Sequence, residues 1–404
     1  MRTFIIILCI VVAAVAAIAV YLAVTTPEEA PPLRFPLTPA QQNLLAHVPA
    51  EAEAYGLVPA PAVLLGRLVA NPITREPVTQ WKEEHPLPPA AMLGRADAVV
   101  WRTGKTTSYA VRFDPVRALI VRAWTLFSPV DAHWVGRTLV INGEERPEGS
   151  APPPELAAAH GLPEGDAFVV QRRDSRGAFA PIGRPALTSV AITSSNSDIT
   201  SRALGDANAG PQKPALRQDL PRSAMLSVAF AEPPRILSDL DRLIAADIDA
   251  LVGNGGTIAV YRVDTGTLLP RPDAAIVVPA TDGSRAVLAR YGTVFDSLGQ
   301  ATEHEGQLVV AFDRRSAGLY MKDDRIPVAW PANRWVLRLD PVRLIPVLRK
   351  LGDNPALRFA TPRLHRGARD LRRWVGPFEH ARSIEAAASV TGGFEELRVR
   401  IAAK

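Results

Sequence analysis

Residues 4–24 carry no charged side chain, and this apolar run, opening at Phe4 and closing at Val24, constrains the chain more than any other feature. At ~1.5 Å of rise per helical residue it spans the ~30 Å hydrocarbon core of a bilayer, whereas the apolar part of a cleavable signal is usually about 7 to 15 residues. Ile5, Ile6, Ile7, Val11, Val12, Ile18, Val20 and Leu22, interleaved with alanines, give a helix that is apolar on every side. Such a helix satisfies its backbone groups internally, as lipid requires. Arg2 precedes the run, while Glu28 and Glu29 follow it. The cation bias therefore predicts a single pass through the inner membrane, with the N-terminus cytoplasmic and the body in the periplasm or outside the cell. Ala17, Ile18 and Ala19 also resemble a small-residue cleavage site, and a cleaved signal would export the same body.

Cys9 is the single cysteine. It follows bulky Leu8 inside the apolar run, which suits a lipid-facing or helix-packing side chain and not a lipidated anchor. No intrachain disulfide can form, so the exported body depends on its core. With 404 residues, 47% hydrophobic and 22% charged, that core is available, and the length suggests about two domains. The formal charge of +5 is small, and arginine supplies most of the cations.

Pro27, Pro31, Pro32 and Pro36 make an extended tether that stands the body off the bilayer. A short helix follows, predicted from a capping box of Thr38 with Gln41, Pro39 at the first helical position, and Leu44, Leu45 and Val48 as its apolar stripe. Beyond it the chain reads as two similar halves, divided by the loop-rich residues 205–221. The predicted organisation is an anchor over 1–26, tether and short helix over 27–48, one α+β module over 49–210 and a second over 221–404.

In the first half, strands are expected over 55–58, 99–101, 109–113, 139–141, 168–171 and 187–193, and helices over 61–69 and after Asp114, with another capped at Asn196 or Asp198. In the second, strands are expected over 224–230, 257–263, 274–278, 308–312 and 319–322, and helices over 233–252 and 284–298. Arg112, Phe113, Asp114, Pro115, Val116 and Arg117 echo Arg338, Leu339, Asp340, Pro341, Val342 and Arg343. In both, a strand ends in an N-cap aspartate with proline next. The pattern predicts an α+β fold of two similar modules, each an antiparallel sheet with helices packed on one face.

Chemical motifs are sparse. Thr103, Gly104, Lys105 and Thr106 look like the end of a phosphate-binding loop, but Val99 stands where that loop needs a glycine, so a polar hairpin turn is the better reading. No Gly-x-Ser-x-Gly elbow is present. The seven histidines show no spacing that puts two metal ligands on one face. His304, between Glu303 and Glu305, reads as a solvated loop; Asp323 and Asp324 read as turn residues. Neither a catalytic residue, nor a metal site, nor a cofactor is predicted. Ser194, Ser195, Asn196, Ser197 and Asp198 form a polar loop that either caps a helix or offers that helix's N-H groups to an anion. Arg363, Arg366, Arg369, Arg372 and Arg373 accompany Leu364, Ala368, Leu371 and Val375 at helical spacing. That basic amphipathic helix is either a packed helix with a solvated face or a contact for anionic lipid or an acidic envelope partner. Nucleic acid is not an expected partner of an exported segment.

The membrane helix, the proline-rich spacer and the strand-plus-helix openings at residues 55–69 and 224–244 resemble a family of uncharacterised bacterial membrane-anchored envelope proteins. The resemblance covers the plan from Val48 onward and implies an address and an architecture, with no catalytic residues to carry over. The expectation is therefore a membrane-tethered extracytoplasmic binding or scaffold protein of the cell envelope, touching the bilayer through residues 4–24 and more readily a binder than an enzyme. The alternatives are an exported hydrolase with a dispersed site, or a carrier of an apolar ligand.

Overall fold

The computed structural model describes residues 31–84, 88–128, 130–143, 164–171, 187–194, 198–206, 219–231, 247, 250–265, 270–291, 300–311, 314–327, 330, 332–360, 362–391 and 394–403. The apolar run at 4–24 lies outside these. Among the described residues no helix is long and apolar enough to cross a membrane. The architecture is α+β with antiparallel sheets, and the chain divides into two compact units, the first built chiefly from residues up to Gly177 and the second from Gly205–Lys404.

The first unit opens as its local chemistry dictates. Leu33 bridges to Gly165, and helix α1 (Pro39–Leu45) begins at the expected capping box, the Thr38 hydroxyl accepting from the Gln41 N-H at 3.3 Å and the Gln41 side-chain oxygen accepting from the Thr38 N-H at 3.1 Å. Strand β1 (Ala54–Pro59) is followed by helices α2 (Pro61–Ala70), α3 (Arg75–Glu84) and α4 (Ala90–Leu93). The hairpin β2 (Asp97–Thr103) and β3 (Thr106–Arg112) turns at Gly104, whose φ of +59° suits glycine. The Asp114 carboxylate then caps helix α5 (Pro115–Thr125), accepting from the Val116 and Arg117 N-H groups at 3.0 and 2.9 Å. Strands β4 (Ala132–Val135), β5 (Thr138–Ile141), β6 (Ala167–Gln171), β7 (Leu187–Ser194) and β8 (Asp198–Asp206) complete the set. The hydrogen-bonded order is β4-β5-β3-β2-β1-β6-β7, with β8 beside β7.

Helices cover both faces of this sheet, not one. Tyr55, Leu57, Val99, Trp101, Ala110, Val140, Phe168 and Val170 share one buried face with Leu33, Leu37 and the α1 residues Leu44 and Leu45. Ala98, Tyr109, Val111, Leu139 and Ile141 share the other with Leu93 of α4 and Ala118 and Val121 of α5. Consecutive strand residues point to opposite faces, so the unbroken apolar runs at 99–101 and 139–141 bury both.

In the second unit, strands β9 (Asp219–Pro221), β10 (Leu226–Phe230), β11 (Gly256–Asp264) and β12 (Arg271–Pro279) precede helix α6 (Asp282–Arg290), capped by Thr281. Strands β13 (Gln300–His304) and β14 (Gln307–Ala311), helix α7 (Arg314–Lys322), and strands β15 (Arg325–Pro327) and β16 (Trp335–Leu339) follow. Three helices, α8 (Pro341–Asp353), α9 (Pro355–Ala360) and α10 (Pro362–Val375), lead to the long hairpin β17 (Ala381–Thr391) and β18 (Phe394–Ala403). The order is β13-β14-β12-β11-β10-β16-β17-β18, while β9 and β15 pair separately. Here too helices lie on both faces. Ala317 and Tyr320 of α7 pack on Ala259, Ala275, Val277 and Val309, and Val252 with Leu288 of α6 on Phe230, Val278 and Leu308.

Several expectations are corrected. Residues 319–322 belong to helix α7, because Ala317 and Tyr320 bury at helical spacing against the sheet. No helix is capped at Asp198, which opens β8 instead, where Ile199 and Thr200 suit an extended backbone. The helix expected over 284–298 is described only over Asp282–Arg290, with 292–299 outside the described residues. The helix expected over 233–252 is described only at Asp247 and 250–252. Asp323 lies between helix α7 and strand β15 and not between two strands, and its carboxylate accepts from the Ser223 N-H and hydroxyl at 3.0 and 2.9 Å.

Candidate functional site

The helices α8 and α10 make the clearest candidate site, and it lies wholly within the second unit. Asp340 starts α8, its carboxylate accepting from the Arg343 N-H at 3.2 Å, with Pro341 at the first helical position. Leu344, Ile345, Leu348 and Leu351 bury one side of that helix, which leaves Arg349 exposed. On α10, Ala368 and Val375 are buried, Arg366 and Arg369 are exposed, and Arg372 is half-buried. Leu371, read from the sequence as part of the buried stripe, is 38% exposed and does not belong to it. The side chains of Arg363, Leu364 and Arg373 lie outside the described residues.

Gly352 sets how closely the two helices approach. A Cβ there would stand 3.1 Å from Cγ of Arg369, so the stem of that arginine rests directly on the α8 backbone. Beside it opens a cleft of about 470 Å³ lined by Ile345, Arg349, Arg369, Arg372, Gly376 and Glu379. Arg372 is oriented by Asp353, N to O 3.0 Å, in a pair whose side chains are 38% and 63% exposed. Solvent screens that pair, so it aims the guanidinium more than it stabilises the fold. Glu379 has the His380 Nε2 at 3.7 Å. Among the described residues, Arg349 and Arg369 carry no ion pair.

Three permanently charged guanidiniums and one carboxylate, Glu379, thus line the cleft, and guanidinium forks are able to take an oxyanion in paired hydrogen bonds. The arginines predicted from the sequence are thus divided: Arg369 and Arg372 enter the cleft, while Arg366 lies on the same helix without lining it. Arg349 was missed, because it lies on the preceding helix and only the fold brings it to Arg369. The helix expected after the polar loop is replaced by a strand. Ser194 ends β7 and Asp198 begins β8, so the helix N-terminus invoked there is absent, and Ser195, Asn196 and Ser197 lie outside the described residues. His304 ends β13, half exposed, with its Nε2 3.9 Å from Glu305. Among the described residues no three His, Cys, Asp or Glu side chains gather to hold a metal ion. Comparison of the chain with protein-family models, curated proteins and solved structures finds no match.

Proposed function

We propose that this chain is a membrane-tethered, noncatalytic binding protein of the bacterial cell envelope, whose exported body engages an anionic partner through the cleft between α8 and α10. The observation that carries the reading is the pairing of that cleft with charge: Arg349 and Arg369 line it without an acidic partner among the described residues. The apolar run at 4–24 and the proline-rich stretch after it support the tether.

The reading includes two like modules. The order β4-β5-β3-β2-β1-β6-β7 corresponds position by position to β13-β14-β12-β11-β10-β16-β17, with β8 and β18 next in each. On this correspondence Asp114, after β3, matches Thr281, after β12, since each caps the helix leading to the edge hairpin. The Asp114 and Asp340 echo then occupies nonequivalent places, because Asp340 follows β16, the counterpart of β6.

The exported address has a direct test. In a Cys9→Ser background, Arg366→Cys places one thiol on exposed α10, and a membrane-impermeant maleimide is expected to label it in intact spheroplasts. Labelling only after permeabilisation would put the cleft in the cytoplasm and end the envelope reading.

A further inference from the structure

Resting on that reading of the cleft, we infer that its ligand is a phosphate ester carrying a hydroxyl or amine donor, supplied either by a lipid headgroup or by a soluble phosphate compound. Guanidinium forks match both carboxylate and phosphate, but a planar carboxylate is satisfied by a single fork. Three guanidiniums from two helices suit an oxyanion with oxygens to share among them. Arg372 is held in place by Asp353 and retains donors beyond the one bonded to that carboxylate. The stem of Arg369 is set against Gly352, so this second cation is positioned by the backbone of α8. The cleft therefore meets its ligand with part of the ordering already done.

Its size and remaining walls narrow the choice. About 470 Å³ is far more than a bare phosphate needs, and falls within the ~300–1,000 Å³ typical of small-molecule sites. Glu379, which also lines the cleft, repels a second anionic group and accepts from a neutral hydroxyl or an ammonium, which selects an esterified phosphate over a polyanion. Ile345, largely buried, is the apolar side chain among the lining residues and gives the ligand's carbon skeleton a surface to meet. Gly376 lines the cleft without a side chain, and a Cβ there would meet open space. That glycine offers a way to fill the site while leaving every charge in place.

The test uses the full chain in phosphatidylcholine nanodiscs, whose headgroup has no hydroxyl or N-H donor, titrated with glycerol 3-phosphate, short-chain phosphatidylglycerol, inorganic phosphate and polyglutamate. Glycerol 3-phosphate or the short-chain lipid is expected to bind, more tightly than inorganic phosphate. Binding to both marks a soluble source as sufficient, and binding to the lipid alone marks a headgroup. Arg349→Gln, Arg369→Gln and Gly376→Leu are each expected to weaken that binding about tenfold or more, the scale of a lost charge-assisted hydrogen bond or a filled site, while Arg366→Gln leaves it unchanged. Equal losses in Arg366→Gln and Arg369→Gln would reduce the cleft to a diffuse positive surface and overturn the inference. Polyglutamate binding without phosphate-ester binding overturns it while leaving an anion-binding cleft, and binding of none of the four overturns both.

Discussion

Replacing Phe168 with alanine is expected to lower the stability of the first unit by ~3–5 kcal/mol, the range for deleting a buried aromatic and leaving its cavity. The ring is fully buried among Leu57, Val99, Val170 and Leu33, and Phe35 meets it edge-on, 5.2 Å between centroids and 76° between planes. Phe35 lies just before the first helix, in the segment where Leu33 bridges to Gly165. The same cavity therefore loosens the core and the seat of the segment that leads into α1. Hydrogen exchange read by mass spectrometry on peptides covering β1 and β2 measures the loss. A change under about 1 kcal/mol would mean that the face shared by α1 and the sheet is not the packed core described above.

Gly255→Ala is expected to cost the second unit about 3 kcal/mol, by adding two penalties. The φ of +84° is a conformation that side-chain-bearing residues adopt at ~1–3 kcal/mol, and overpacking adds a similar amount. The new Cβ would stand 2.5 Å from the Phe230 carbonyl oxygen and 3.2 Å from the Ala231 Cα. Both are backbone atoms, and Phe230 pairs with Gly256 and Trp335 in the sheet, so neither neighbour can step aside cheaply. Gly104→Ala provides the contrast, because φ is +59° there but a Cβ meets nothing within 4 Å. Its cost is expected to be the conformational part alone, about 1 kcal/mol. Matching losses at the two glycines would remove the steric half of the account.

What was legible in the sequence was local. The Thr38 capping box and the Asp114 and Asp340 caps were readable because each is a bond from a side chain to a backbone N-H no more than three residues away. The hairpin at Gly104 was readable for the same reason. Helix α7 was misread because residues 319–322 are too few to separate a period of two from one of 3.6. The β17 and β18 hairpin was missed, although Leu397, Val399 and Ile401 alternate with Glu396, Arg398 and Arg400 as a strand should. Of the cleft, the arginines of α10 stood out and Arg349 did not. No spacing in the chain relates residue 349 to residue 369; the helix-to-helix approach permitted at Gly352 does.

That approach makes the cleft a specific feature of the fold and not a consequence of a modest net charge. The claim is tested most directly by presenting the full chain, held in phosphatidylcholine nanodiscs, with neutral vesicles of phosphatidylcholine and anionic vesicles containing phosphatidylglycerol, for the parent and for the Arg349→Gln, Arg369→Gln double variant. Recruitment of the anionic vesicles alone, lost in the double variant while its thermal unfolding stays unchanged, is the predicted result. Equal recruitment of both vesicle types, or full recruitment by the double variant, would contradict it.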